Sequence, residues 1–238
     1  MSRTVFIKRY TDPARGLAAQ RHLRWLQHLD SGVHLPHLYP STATYLLLER
    51  LHGRLLNPDD LPAVAVILGL LHGSAYAREL RAARLDQPFN TATGTVIPAF
   101  TTGREHVLAH LSPEWSGAPA CFYKDANRRN FLITAHGPAL VDFDDLTLAP
   151  FGYDLAKLIV STAMTFGHLP AERLHAVRGA YTRSVAHAGG PPASCSPSQL
   201  AGYAEVHHLL TARYLHRNDY QHLWPSVRPW PAPAPRTA

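Results

Sequence analysis

An Asp-x-x-x-x-Asn pattern, followed twelve residues later by another Asp, is the part of this sequence best suited to chemistry. Asp125 and Asn130 form the pattern, and Asp142 opens the acidic run DFDD. Phosphoryl transfer needs a carboxylate that orients the attacking hydroxyl and accepts its proton, together with oxygen ligands that hold Mg²⁺ against the phosphates. The spacing predicts Asp125 for the first role and Asn130 and Asp142 for the second.

The distribution of charge supports a cation at this place. The chain of 238 residues has 23 Lys and Arg against 17 Asp and Glu, a net charge of +6 with neutral histidines. Five of the 17 carboxylates nevertheless fall within thirty residues: Asp125, Asp142, Asp144, Asp145 and Asp154. Such a concentration in a basic protein requires a counter-ion, and a divalent cation is the natural one. Asp144 and Asp145 are open to two interpretations, as groups behind the metal ligands or as helix caps.

The elements that must position these residues can be read from hydrophobic spacing. Residues 120–123, 130–134 and 139–143 predict short apolar strands, and the turn residues at 136–138 predict a hairpin. That hairpin would fold back so that Asn130 and Asp142 face the same ion. The other elements, predicted in the same way, are strands at 4–9 and 44–51, a loop at 88–103, and helices at 13–29, 61–85, 104–112, 153–187 and 197–222.

These elements predict a small β-containing N-terminal part and a larger helical C-terminal part, with a ligand cleft between them. We expect the N-terminal part and its hinge to span residues 1–52 and the helical part to span 53–223. The Pro-rich tail at 224–238 is predicted to be extended or mobile.

Composition excludes several other classes of protein. Hydrophobic residues make up 46% of the chain, enough for a globular core. The longest nearly apolar run, at 61–71, is too short for a membrane span, and no secretory leader is evident. Two cysteines, Cys121 and Cys195, are too few for a disulfide framework. Without a zinc-finger or RNA-binding signature, we expect a cytoplasmic protein with neither a membrane nor a nucleic-acid partner.

Residues 120–158 resemble the catalytic and metal-binding stretch of the aminoglycoside phosphotransferase and choline kinase group, within the protein-kinase-like fold. The resemblance implies an α+β, two-lobe fold and the cofactors ATP and Mg²⁺. It assigns Asp125 as the catalytic base and Asn130 and Asp142 as magnesium ligands. In VFIKRY it implies that Lys8 contacts the nucleotide phosphates, and in LLLERLHGRLL that the backbone around Glu49–Leu51 meets adenine.

The chain departs from this family in its N-terminal lobe. Only seven residues precede Lys8, so the first strands and the glycine-rich phosphate loop have no room, and the lobe is reduced. The glutamate that normally pairs with the lysine would fall near Ala19 or Gln20, neither of which is acidic. Lys8 therefore has no evident ion-pair partner in its own lobe. Either another residue or a protein partner completes the site, or the nucleotide binds differently, or the protein is no longer a working kinase.

The acceptor is less constrained by the sequence. Polycationic aminoglycosides require surplus carboxylates, and few lie outside the catalytic block, which argues against them. Arg128 and Arg129, beside the base, are open to two interpretations, as groups that grip a phosphate or an acidic acceptor and as solvated loop residues. The leading hypothesis is an ATP- and Mg²⁺-dependent phosphotransferase acting on a hydroxyl of a natural product or of Ser or Thr in a ribosomal peptide. The alternatives are a catalytically inactive pseudokinase or scaffold subunit and a small-molecule antibiotic kinase.

Overall fold

The computed structural model describes residues 4–108, 113–217 and 219–230 of the chain. Its strands and helices are, in chain order, β1 (Val5–Arg9), α1 (Pro13–His28), β2 (Tyr45–Glu49), β3 (Gly53–Leu55), α2 (Leu61–Arg78), β4 (Phe89–Asn90), β5 (Val96–Ile97), α3 (Glu105–Leu108), β6 (Ala120–Tyr123), β7 (Phe131–Thr134), β8 (Gly137–Leu140), β9 (Thr147–Pro150), α4 (Tyr153–Phe166), α5 (Ala171–His187), α6 (Pro197–Thr211) and α7 (Trp224–Val227). Short 3₁₀ turns lie at Pro58–Asp60, Leu80–Ala82, Pro113–Gly117, Arg128–Asn130 and Ala212–Tyr214.

The N-terminal lobe consists of a two-stranded antiparallel sheet with one helix against it. Strands β1 and β2 pair in a register that places Lys8 opposite Leu46. Helix α1 begins where the Asp12 side chain accepts a hydrogen bond of 2.9 Å from the Ala14 backbone, the usual way to satisfy a free N–H at a helix start. Leu23 and Leu26 of this helix are fully buried. The reduced N-terminal lobe predicted from the sequence is confirmed.

Two further antiparallel sheets bring the chemistry-bearing loops together. Strand β7 pairs with both β3 and β8, so residues 130 and 141, just outside the β7–β8 hairpin, are neighbours. Strand β6 pairs with β9, which sets the loop after Tyr123 beside the segment before Thr147. The strand pairing thus gathers loops that are distant in sequence at one end of the C-terminal lobe.

Helices form the core of the C-terminal lobe. Helix α4 is buried over nearly its whole length, and α2 packs closely on α5 because Gly69 and Gly73 carry no side chain at the contact. By length and composition alone the stretch Pro58–Arg78 could cross a membrane, but more than half of it is buried within the protein, as in a core helix. Cys121 and Cys195 are both buried free thiols.

Several predicted element boundaries are wrong. The helical stretch predicted over 153–187 is divided into α4 and α5 by Gly167, which has φ +95°, and the helix predicted over 197–222 ends at Thr211. Helix α2 ends at Arg78 rather than near 85, because the Glu79 carboxylate accepts hydrogen bonds from Trp25 and from the Ala92 backbone. The strand predicted over 44–51 stops at Glu49, and the strand predicted over 139–143 runs from Gly137 to Leu140. The predicted 88–103 loop contains the small β4–β5 hairpin.

The tail is also more ordered than predicted. Trp224 begins helix α7, is fully buried, and donates a hydrogen bond of 2.9 Å from its indole to Glu205. The remainder of the predicted tail after residue 230, and the predicted helix residues 109–112, lie outside the described residues.

Candidate active site

The loop after β6 holds Asp125 in a constrained backbone conformation. Asp125 has φ +56°, a left-handed value that a non-glycine residue adopts only when its surroundings enforce it. Here the buried Asp154 carboxylate accepts hydrogen bonds from the backbone N–H groups of Lys124 (3.1 Å) and Ala126 (2.8 Å). The amide of Asn130 donates a 2.8 Å hydrogen bond to the Asp125 carbonyl. The loop is therefore fixed from both sides.

The Asp125 side chain is oriented through one of its two oxygens. Its Oδ1 accepts a 2.9 Å hydrogen bond from the Tyr123 hydroxyl and lies 3.5 Å from Lys157 Nζ. Burial, and then the charge of Asp125, raise the pKa of Tyr123 well above its ordinary value, so the phenol remains a donor. No hydrogen bond reaches Oδ2 from any residue that the structure describes, and the side chain is 32% exposed. That oxygen is free to accept a proton.

Asn130 and Asp142 lie next to each other at the open end of the β7–β8 hairpin. The Val141 N–H donates a 2.9 Å hydrogen bond to the Asn130 carbonyl, and both predicted metal ligands line the same cleft. The Asn130 amide nitrogen donates a hydrogen bond to the Asp125 carbonyl. The Asn130 Oδ1 is left without a partner among the described residues. Asp142 also has a left-handed backbone, with φ +66°, and is 44% exposed.

This donor set suits Mg²⁺ rather than a softer metal. Within the described ranges, no group of three His, Cys, Asp or Glu side chains is arranged around a metal position. One carboxylate and one amide oxygen leave most coordination positions to water and phosphate oxygens, which is how Mg²⁺ is usually bound beside a nucleotide. The residues present therefore fit the cation that the sequence implied.

Lys8 has two carboxylate partners, and both come from across the cleft. Its Nζ lies 2.7 Å from Asp142 Oδ1 and 2.5 Å from Asp144 Oδ1. Burial lowers the pKa of Lys8, but the two carboxylates outweigh burial and raise it above its ordinary value. Burial raises the pKa of Asp142, but the hydrogen bond and the charge of Lys8 outweigh burial and lower this pKa below its ordinary value. The absent glutamate near Ala19 and Gln20 is thus replaced by acidic residues of the other lobe.

Asp144, whose role was left open by the sequence, contacts three side chains of the N-terminal lobe. Besides Lys8, it accepts a hydrogen bond of 2.6 Å from the Tyr10 hydroxyl and lies 3.0 Å from Arg15. Its side chain is only 10% exposed. The acidic run after β8 was the signal in the sequence, but nothing local indicated which member would meet Lys8.

Lys124 is a positioning residue that sequence reasoning missed. Its Nζ donates a 2.9 Å hydrogen bond to the Val141 carbonyl and lies 5.1 Å from the centre of the Phe143 ring. Burial lowers the pKa of this lysine. On the other side, the His22 ring makes a 2.9 Å hydrogen bond with the Phe143 carbonyl. Lys124 therefore connects the Asp125 loop to the Asp142 loop through buried contacts.

A cleft of about 590 Å³ lies between the lobes and contains Lys8, Asn130 and Asp142. Its apolar walls come from side chains on both lobes: Phe6, Leu46, Leu48, Leu132 and Val141. Glu49 and Leu51 also line it, and their predicted contact with adenine stays a prediction. The Glu49 N–H donates a hydrogen bond to the His37 carbonyl, whereas the backbone N–H and carbonyl of Leu51 have no partner among the described residues. Leu51 thus offers a free donor and acceptor at the apolar end.

A second, polar pocket of about 520 Å³ contains the Asp125 carboxylate. Asp145, Lys157 and Arg104 also line it, and Arg129 lines both this pocket and the cleft. Arg128 differs from its neighbour, because it is buried and pairs with Asp219 at 2.8 Å. Asp125 therefore lies in the polar pocket, whereas Asn130, whose amide donates to the Asp125 carbonyl, lies in the cleft beside Asp142.

Comparison with solved structures identifies the fold. The model aligns with a macrolide 2'-phosphotransferase from Brachybacterium faecium (TM-score 0.57, 17% identity, covering 88% of this chain and 76% of that one). It also aligns with a choline kinase from Streptococcus pneumoniae (TM-score 0.56, 17% identity, covering 87% of this chain and 75% of that one). A third match is an aminoglycoside-3'-phosphotransferase of type VIII (TM-score 0.53, 19% identity, 86% and 84%). A comparison with curated proteins finds no match.

The two-lobe fold and the site between the lobes define the class of protein as a kinase-like phosphotransferase. Residues 2–188 match the family model described as the phosphotransferase enzyme family, and the chain belongs to that family. The family resemblance and the α+β kinase-like fold predicted from the sequence are both confirmed.

Proposed function

We propose that this chain transfers the γ-phosphoryl group of ATP to a hydroxyl of a small molecule in a Mg²⁺-dependent reaction. The observation that carries this proposal is that Asp125 lies in one pocket and is hydrogen-bonded to Asn130, which lies beside Asp142 in a second pocket. The second pocket has an apolar end and a cation site, and the first is polar and open to an acceptor. Family membership supports the reaction class, and the three solved relatives are named for acceptors that carry hydroxyl groups.

The nucleotide would bind in the cleft between the lobes. Leu51 offers its free backbone groups to the adenine edge, and apolar side chains cover the ring. At the other end Asp142 and Asn130 would hold Mg²⁺, which neutralises charge on the phosphate oxygens when it is bound. Lys8 exchanges part of its contact with Asp142 for a phosphate oxygen, while Asp144 keeps its ammonium group in place.

Asp125 acts on the acceptor hydroxyl. The hydroxyl oxygen forms a bond to the γ-phosphorus, the bond from that phosphorus to the ADP oxygen breaks, and the hydroxyl proton passes to Asp125 Oδ2. Tyr123 and Lys157 hold the carboxylate through Oδ1, which leaves Oδ2 for the proton. Catalysis then consists mainly of positioning and charge neutralisation.

Two finer expectations remain predictions. A Ser or Thr side chain in a ribosomal peptide is a second class of acceptor, and a protein partner that completes the N-terminal lobe is compatible with the exposed β1 side chains Phe6 and Ile7. The pseudokinase alternative rested partly on the absence of a lysine partner. Asp144 supplies one, which weakens that argument.

The experiment that tests this function removes the base and keeps its shape. Asp125→Asn is expected to lower ADP release with a panel of hydroxylated acceptors by about 10²- to 10⁴-fold, the usual contribution of a positioned base. Slow ATP hydrolysis serves as the readout if no acceptor in the panel reacts. The matched control Asp86→Asn changes an exposed carboxylate paired with Arg84 and should keep the wild-type rate. A wild-type rate in Asp125→Asn would contradict the assignment.

A further inference from the structure

The walls of the polar pocket beside Asp125 are predominantly basic. Four cationic side chains line it, and the carboxylates facing them are Asp125 and Asp145; the cationic residues are Arg104, Arg129, Lys157 and Arg213. His207 also lines the pocket, but burial and then the charge of Lys157 lower its pKa well below the ordinary value, so it remains neutral. Mutual repulsion of these cations disfavours a positively charged ligand at this place.

The positions of two of the four cations already suggest what each is for. Lys157 lies 3.5 Å from Asp125 and compensates the charge of the base. Arg129 also lines the nucleotide cleft, so its charge is available to the phosphates. Arg104 and Arg213 remain, and neither lines that cleft.

Arg104 is a buried cation held in an aromatic frame. It is only 8% exposed, and its guanidinium lies 5.2 Å from the ring centres of Phe100 and Tyr123. It donates hydrogen bonds of 2.9 Å to the Phe100 carbonyl and 3.0 Å to the Thr147 hydroxyl. No carboxylate in the described part of the chain lies within ion-pair distance of it. A buried charge without a counter-charge is costly, and an anion bound in the pocket would remove that cost.

From this charge distribution we propose that the acceptor is itself an acid, a hydroxylated small molecule whose carboxylate or phosphate group binds Arg104. Arg213 lies at the rim of the same pocket and adds to the attraction, while the acceptor hydroxyl faces Asp125. This inference rests on the proposed function, because it names the substrate class of the same site. It also makes Arg104 a specificity residue that selects against amino sugars and other cationic acceptors.

The test uses three sugars of one scaffold that differ in charge: glucuronate, glucose and glucosamine. Their binding is measured by saturation-transfer NMR titration, with and without Mg²⁺ and ADP, at low salt where charge effects are least screened. Wild-type protein is expected to bind glucuronate at least about tenfold more tightly than glucosamine, with glucose between them. Equal binding of the three sugars, a preference for glucosamine, or no glucuronate signal would overturn the proposal.

Matched variants identify the residue responsible. Arg104→Gln is expected to remove most of the preference for glucuronate, and Arg213→Gln part of it. Arg213 is exposed, so its variant keeps the test usable if Arg104→Gln does not fold. The control Arg24→Gln, an exposed residue of α1 outside both pockets, should bind as the wild type does. A preference that persists in both pocket variants would overturn the proposal.

The same samples separate this inference from the proposed function. ADP binding that depends on Mg²⁺, without selectivity among the sugars, would contradict only the acidic acceptor. Absence of ADP binding would contradict the phosphotransferase proposal, whatever the sugars do.

Discussion

The Asp144 carboxylate holds Lys8 toward the cleft and is itself held by two further partners. It meets Lys8, Tyr10 and Arg15 at 2.5, 2.6 and 3.0 Å, respectively, and is largely buried. Asp142 also meets Lys8 but is needed for the cation in the proposed reaction. At the residue scale we therefore expect the two carboxylates to have separable roles in the proposed reaction, Asp144 for the lysine and Asp142 for the metal.

Replacing each carboxylate in turn should show this separation. Asp144→Asn is expected to weaken ADP binding roughly tenfold, about 1.4 kcal/mol, because Lys8 loses its fixed partner, and to do so equally with and without Mg²⁺. Asp142→Asn should weaken ADP binding only when Mg²⁺ is present. Calorimetric titration measures both effects, with Asp86→Asn as the control. A purely Mg²⁺-dependent loss in Asp144→Asn would instead make Asp144 a metal ligand.

Sequence reasoning was most effective where the chemistry is local. Asn130 and Asp142 flank one hairpin, so their spacing alone indicated that they would be neighbours. The pairing of Lys8 with Asp144 joins residues 136 positions apart and depends on how the lobes meet, which no local pattern contains. The predicted site residues are brought together as the sequence suggested, but their individual roles remain predictions.

At the scale of elements, the close contact between α2 and α5 is connected to the loop before α4, and so to Asp154. A Cβ on Gly69 would lie 2.6 Å from the Tyr181 carbonyl oxygen, and one on Gly73 would lie 2.5 Å from the Val185 carbonyl oxygen. The Tyr181 hydroxyl in turn accepts a 3.1 Å hydrogen bond from Gly152 N–H, just before α4 and Asp154. Helix packing and loop geometry are thus connected.

Enlarging this contact should destabilise the protein. Gly69→Ala is expected to lower the free energy of unfolding by about 1–3 kcal/mol, because backbone on both helices must move. Gly202→Ala in α6 is the matched control, since nothing lies within 4 Å of its Cβ position, and it should raise stability by about 0.5–1 kcal/mol. Denaturant titration measures both. Equal stability of the two variants would show that α2 and α5 do not pack this closely.

The start or end of a helix or strand could be predicted from the sequence only where a local signal, such as a proline or a capping residue, sets it. Pro13 and the Asp12 cap set the start of α1, and the sequence located it correctly. The end of α2 depends on Glu79 meeting Trp25 from another helix, which periodicity cannot indicate. Trp224 lies in a Pro-rich segment that resembles a free tail, yet its burial and its bond to Glu205 fix it to the core.

At the scale of the whole molecule, the residues proposed for catalysis come from both lobes. The N-terminal lobe contributes Lys8 and Leu51 to the cleft, and the C-terminal lobe contributes Asn130 and Asp142. Because Lys8 bridges the lobes through Asp142 and Asp144, the proposed nucleotide binding would exchange one contact across the cleft for another. Membership of the family was readable from residues 120–158, and the family model matches residues 2–188.

The central claim is that Asp142 and Asn130 bind one cation together with the nucleotide. Calorimetric titration of wild-type protein with ADP, with and without Mg²⁺, tests it most directly. We expect Mg²⁺ to tighten ADP binding in the wild type and to have little effect in Asn130→Leu, a variant that removes the amide oxygen. Binding that ignores Mg²⁺ in the wild type, or a full Mg²⁺ effect in that variant, would contradict the claim.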